Sequence, residues 1–352
     1  MMTCASPPFQ HAKADIILRS SDGIDFRVFT LFLNLASSSF DSIIEQAGRS
    51  GQISDDLPIV SVEENHRVLD IWLRFCYPST LSEDPALDDF EDILPVLEAA
   101  RKYSLKPLEN KVRQVLKSRM EKEPWRCFAL AMRGDLVTEA TLAAEHTLRQ
   151  PLIPAKFPEI DLITATEMLA LLTYHQKCGI RVQFLGENLS WITPGSHGWM
   201  ISGSCGCESG SKFLLDGQRP LKWWCDYLES TLTSLLDKPS GHTVQTGLSG
   251  VIQDVRATGC SQCCSNILMN MTAFARSFSS KVDILTANVH FDTVLLNLPT
   301  NSNEILDLST SFGEILGLAP TNSNEIPNQP TNSGGSTTKG NLKGKKKGKK
   351  GK

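Results

Sequence analysis

The stretch Asp25–Ile44 reads DFRVFTLFLNLASSSFDSII, and it changes period half way along. In Asp25-Phe26-Arg27-Val28 polar and apolar side chains alternate, so Ile24, Phe26 and Val28 share one face, the mark of a half-buried strand. From Leu31 onward the apolar residues crowd together at helical spacing, three serines interrupt, and a second short apolar segment starts at Phe40. Upstream, Ala14–Arg19 is a β-rich run, and Asp22-Gly23 between two apolar runs predicts a tight hairpin. Leu31, Phe32, Leu33, Leu35, Phe40 and Ile43 offer more apolar surface than two short helices bury alone. Either later helices cover these six, or another protein does, so they form the candidate interaction surface.

Working outward, Leu57–Val62 reads as another strand, interrupted early by Pro58. Ser61-Val-Glu-Glu64 has the pattern of a capping box, and Val68, Ile71, Trp72 and Phe75 then form one helical stripe that stops at Pro78. An acidic loop at 79–89 precedes a helix expected over 92–105, with Pro95 placed in its first turn, and Pro107 suits the start of the next. Strands first and paired helices after predict an α+β domain, a small sheet capped by helices.

Residues 124–178 look helical throughout, with breaks at Gly134-Asp135 and a capping box at Thr164-Ala-Thr-Glu167 opening a helix to Cys178. Residues 179–218 are rich in Gly and Ser and read as irregular. Further helices are expected after Arg219-Pro220, over 242–257, and from Ser265. PTNSNEI occurs at 299–305 and again at 320–326, and Lys-Gly repeats finish the chain, a composition that predicts disorder.

Three quoted segments together resemble a BTB (POZ) domain, and specifically the large fungal, basidiomycete-type BTB family: ADIILRSSDGIDFRVFTLFLNLASSSF, LPIVSVEENHRVLDIWLRFCYP and EDILPVLEAARKYSLKPLENKVRQVL. The helices ending in LLTYHQKC, and the run from RPLKWWCDYLES to CSQCC, are similar to the remainder of such proteins. The resemblance implies a BTB/POZ-like domain at 13–120 after a short N-terminal tail at 1–12. A helical, BACK-like region at 121–180, a Cys-containing helical region at 181–298 and a disordered tail at 299–352 would follow. It implies that the apolar helices after the hairpin line a core and a dimer interface. Where the family carries a His-Lys pair after the strand, this chain has Phe29-Thr30.

Among 352 residues, 41% are hydrophobic, enough for sizeable cores, and no apolar run is long enough to predict a membrane span. The first residues lack the basic start and apolar stretch of a secretory signal, so an intracellular setting, cytoplasm or nucleus, is expected. The net charge is −4, but 339–352 carry eight lysines and no acid, so the other residues carry −12. That acidity speaks against nucleic-acid binding by the folded part, whereas the lysine tail offers weak polyanion binding or a nuclear address.

In a reducing compartment the ten cysteines are thiols or metal ligands before they are disulfides. Cys205-Gly-Cys207 and Cys260-Ser-Gln-Cys263 are two half-sites whose four thiolates suit one structural zinc, with Cys178, Cys264, His175 and His197 as spare ligands. The alternatives are buried or exposed reduced thiols, or disulfides. His66, His146 and His242 sit in polar helical contexts and read as solvated. Trp223, Trp224 and Tyr227 are a ligand platform or, at helical spacing, core. Nucleophile-elbow, Cys-His, P-loop and dinucleotide patterns are missing, so no catalytic residue is assigned. The expectation is a non-enzymatic interaction protein that self-associates or acts as an adaptor. What is known of BTB proteins adds the presentation of substrates to a cullin-type ubiquitin ligase. The alternative is a nucleic-acid-associated regulator using the cysteines and the lysine tail.

Overall fold

The computed structural model describes residues 3–42, 45, 53–54, 56–83, 85–192, 198–201 and 205–296. The repeats, the lysine-rich end and Ile43 lie outside them.

The hairpin forms as expected. Strands β2 (Ile16–Arg19) and β3 (Ile24–Val28) pair antiparallel with Leu18 opposite Phe26. Gly23 closes the turn at φ +83°, a conformation that costs glycine nothing. Arg19 and Asp25 face each other across the turn with Nε–Oδ1 at 2.6 Å. Strand β5 (Leu57–Ser61) joins β2 in parallel, while β1 (Thr3–Cys4) and β4 (Ile53–Ser54) take the two edges, giving the order β1-β3-β2-β5-β4. Pro58 is accommodated inside β5, opposite Ile53 of the edge strand.

Helices cover this sheet: α1 (Thr30–Ala36), α2 (His66–Cys76), α3 (Phe90–Lys102) and α4 (Lys106–Arg119). At Phe29-Thr30, Asp15 ties down the start of α1, accepting from the Thr30 amide at 2.8 Å and from its hydroxyl at 2.7 Å. The cap of α2 is Asn65, whose side chain accepts from the Val68 amide, rather than the expected Ser61–Glu64 box. Ser61 remains in β5, and Glu63 and Glu64 turn to Lys102, with Glu64 also accepting from the Tyr103 hydroxyl. Pro95 falls in the second turn of α3, which starts at Phe90, two residues earlier than the sequence suggests. The α2 stripe is buried as a core face except for the half-buried Phe75. Its Trp72 stacks on Phe40 at 5.3 Å and tilts against Tyr103 at 4.8 Å.

A helical region follows: α5 (Pro124–Arg133), α6 (Val137–Thr147) and α7 (Ala165–Glu187). The α7 capping box is present in full, Thr164 to the Glu167 amide and Glu167 back to the Thr164 amide. This region is continuous with the first core, which contains Trp72, Leu116, Phe128, Ala144 and Tyr174. Buried Glu139 of α6 is neutralised from α4 by Arg113 at 2.5 Å and Lys117 at 3.2 Å. Such a carboxylate survives burial only because it is paired.

The largest departure from the sequence reading lies at Gly179. Instead of ending at Cys178, α7 continues to Glu187. Its glycines are packing contacts with α8 (Lys222–Asp237), not breakers: a Cβ on Gly179 would stand 2.9 Å from the Leu236 carbonyl oxygen. Beyond Cys178 the helix enters a second core with Val182, Leu185, Trp224, Leu228, Phe274 and Phe278. The expected 242–257 helix is two helices, α9 (Gly241–Thr246) and α10 (Leu248–Ala257), which meet at Gly247. Then come the short α11 (Ser261–Cys264), the long α12 (Ile267–Ala287) and α13 (Phe291–Leu296). The last of these returns to the first core, where Phe291 meets the rings of Phe128 and Tyr174. No helix of the described residues is long and apolar enough to cross a membrane.

Trp72 is fully buried between Phe40 and Tyr103, so Trp72→Ala should cost about 3–5 kcal/mol of stability. Denaturant unfolding of the two proteins measures this, and an equally stable variant would place the stripe outside the core.

Candidate interaction surface and four-cysteine group

The six apolar residues of the opening stretch separate according to burial. Leu33 and Phe40 are fully buried and belong to the first core, Phe40 in the stack with Trp72 and Tyr103. They are therefore removed from the candidate surface. Phe32 is half-buried, edge-on to Tyr77 at 4.9 Å. Leu31 and Leu35, one helical turn apart, stand 62% and 76% exposed. Ile43 lies outside the described residues. The outward face of α1 thus presents an i, i+4 leucine pair with Phe32 at its margin.

The cysteines gather as the spacing suggests. Sγ atoms of Cys205, Cys207, Cys260 and Cys263 all lie within 4.8 Å of one another. Cys263 Sγ is 3.8 Å from Cys205 Sγ and 3.7 Å from Cys207 Sγ. Local backbone explains the convergence. The Cys205–Cys207 loop is held by bridges from Ile201 to Pro220 and from Ser209 to Leu221. Gly210 N–H donates to Pro220 O at 2.8 Å, and a Cβ on Gly210 would lie 2.3 Å from Cys225 Sγ, so glycine alone fits there. On the other side, α10 ends, Gly259 turns at φ +68°, and Cys260 caps α11, its sulfur accepting from the Cys263 amide at 3.5 Å.

The spare ligands stay apart from this group. His175 is buried with Nε2 against the carbonyls of Thr147 and Gln150, and burial pushes its pKa down. Cys178 is buried in the first core, and Cys264 Sγ points to Val255 O at 3.5 Å. His197 lies outside the described residues. Of the histidines read as solvated, His242 is exposed and His66 is an exposed partner of Asp22. His146 instead is half-buried, with its pKa lowered by desolvation.

The four thiols are chemically unequal. The Cys263 amide N–H and the Cys207 thiol lower Cys260 to about 7. Burial raises Cys263, and the hydrogen bond with Cys260 raises Cys207. Four soft sulfur donors at this spacing are able to hold a metal ion.

Trp224 and Tyr227, offered by the sequence as a platform or as core, are core; the Tyr227 hydroxyl donates to Val244 O at 3.1 Å. Half-buried Trp223 stacks on Trp199 at 6.0 Å. Sequence reading passed over a different pair, Trp191 and Trp199, which line a cavity against Phe274. The available signal was two tryptophans in a stretch otherwise full of Gly and Ser.

With its sulfur accepting the Cys263 amide, Cys260 of the metal-free protein should be the first of the four to react with a limiting alkylating agent near pH 7. Peptide mass mapping reads the order, and preferential labelling of Cys263 would contradict the assignment.

No curated protein matches the chain. Residues 8–120, about a third of its length, match the profile of the BTB/POZ domain. Residues 8–120, with strands β2 to β5 and helices α1 to α4, therefore constitute a BTB/POZ domain, a protein–protein interaction module, followed by a helical region.

Proposed function

We propose that this chain is a non-enzymatic adaptor or scaffold that self-associates through α1 and presents bound proteins to a cullin-type ubiquitin ligase. The observation that carries the reading is the Leu31–Leu35 pair, apolar and exposed on a BTB/POZ domain whose α1 buries Leu33 on its other side. Covering two leucines removes apolar surface from water at about 25 cal/mol per Å², which favours a protein partner on this face. Ten free cysteines suit a reducing setting, cytoplasm or nucleus. The alternative of a nucleic-acid-associated regulator gains nothing specific from the geometry, since its lysine tail lies outside the described residues.

Leu31→Asp and Leu35→Asp place a charge on an exposed position and should leave the fold intact while converting a self-associated species to monomer. Light scattering on the eluting protein reads the mass, and co-precipitation of a cullin scaffold reads the ligase arm. A wild-type chain that stays monomeric at high concentration and captures no cullin would refute the adaptor reading.

We also propose that Cys205, Cys207, Cys260 and Cys263 hold one structural zinc. Zinc–thiolate bonds of about 2.3 Å in a tetrahedron set neighbouring sulfurs about 3.8 Å apart. Two of the sulfur separations, 3.7 and 3.8 Å, already meet that figure. When bound, such an ion supplies a cross-link and, with four protein ligands, no open position for substrate. The residues' own contribution is to clamp the 205–207 loop onto α11. Native mass spectrometry should find one zinc per chain. Chelation, or Cys263→Ser, should raise hydrogen exchange in the second core and leave the BTB/POZ domain protected. A metal-free chain with unchanged protection after Cys263→Ser would sink the assignment.

A further inference from the structure

We propose that the cavity between Trp191, Trp199 and Phe274 is a binding site for a quaternary ammonium group, carried either by a small molecule or by a trimethylated lysine side chain. The cavity is about 220 Å³ and is lined by Trp191, Ile192, Trp199, Met200, Asn270 and Phe274, with Ala273 and Ser277 beside them. Phe274, Met200 and Ile192 are buried and form its floor, while Trp191 and Trp199 are half-buried and form its walls.

Ring geometry makes this a partial cage. Trp191 lies nearly parallel to Phe274, centroids 5.7 Å apart at 30°, and to Phe278 at 5.1 Å and 25°. Trp199 meets Phe274 at 6.4 Å and 75°, so Phe274 is the ring that both indoles touch. Both walls are braced. Trp191 Nε1 donates to Leu185 O at 2.9 Å, and Trp199 stacks on Trp223 at 6.0 Å. Preorganised rings lose little entropy on binding.

Three considerations select the ligand. Size comes first: pockets for drug-sized molecules run to roughly 300–1,000 Å³, so a cavity of about 220 Å³ suits a compact group rather than a large one. Chemistry comes second. The polar lining residues are an amide and a hydroxyl, and no charged side chain is among the described residues that line it. A primary ammonium would lose its hydration with too few acceptors to replace it, whereas a quaternary ammonium has no N–H to satisfy and binds through the faces of aromatic rings, tryptophan best. Charge comes third: outside the lysine tail the chain carries −12, a field that attracts cations and repels anions.

The test uses the full chain and paired probes of the same shape. Choline is compared with its neutral isostere 3,3-dimethylbutan-1-ol by calorimetry and tryptophan fluorescence, and a trimethyllysine peptide is compared with its unmethylated form. Choline should bind about tenfold or more tighter than the isostere. Saturable binding of choline alone assigns a small-molecule ligand, and tighter binding of the trimethyllysine peptide assigns a modified protein. Trp199→Leu keeps an apolar wall but removes the ring, so it should abolish the preference for choline; Trp199→Phe should retain much of it. Equal binding of choline and its isostere, no saturable binding of either ammonium probe, or an unchanged preference in a folded Trp199→Leu variant would overturn the proposal. Should the variants unfold, the wild-type ratio of choline to isostere still decides it.

Discussion

Helix α7 is the member on which the rest of the structure depends. Its 23 residues span about 34 Å. The N-terminal half buries Ala170, Leu171, Tyr174 and Cys178 in the core shared with the BTB/POZ domain, and the C-terminal half buries Val182 and Leu185 in the second core. The helix passes from one to the other at Gly179, where the absence of a side chain lets the end of α8 approach to van der Waals contact. A side chain at that point would push α8 outward and loosen the second core along its length.

Around this helix the two cores are stabilised by different means. The first is large and aromatic at its centre, and its buried carboxylate Glu139 is held by cations from α4. Those ion pairs tie the BTB/POZ domain to the helices behind it, so the two are not independent bodies joined by a loose linker. The second core is smaller and is flanked by the described residues 205–221, held to one another by backbone bonds such as Gly210 N–H to Pro220 O. The four sulfurs sit where the Cys205–Cys207 loop meets α11.

Electrostatics and burial distribute the chemistry accordingly. The surface of α1 keeps two leucines in water because no later helix among the described residues covers them, an exposed apolar pair of the kind a protein partner could cover. Buried His175, Cys127 and Cys178 have pKa values shifted toward their neutral forms by desolvation, which is how a core accommodates such groups. Only in the four-cysteine group does one thiol move the opposite way, toward thiolate.

Local signals in the sequence determined a good deal. The period-two run with Asp22-Gly23 specified the hairpin, the stripe through Trp72 specified a core helix, Thr164 and Glu167 specified the start of α7, and the C-x-C and C-x-x-C spacings pointed to one four-sulfur group. These are short-range patterns, set by residues within a few positions of each other. What the tertiary structure decided was everything that hinges on distant neighbours. Gly179 and Gly186 fall in a stretch whose composition reads as irregular, and only α8 supplies the surface that needs them small. Leu33 and Leu35 are alike in sequence, yet one is buried and the other exposed, because the following helices cover only one side of α1. Trp191 and Trp199 became the walls of a cavity only when α12 brought Phe274, more than seventy residues away, against both of them. Burial belongs to the assembled fold, and a residue's own neighbours in the chain do not carry it.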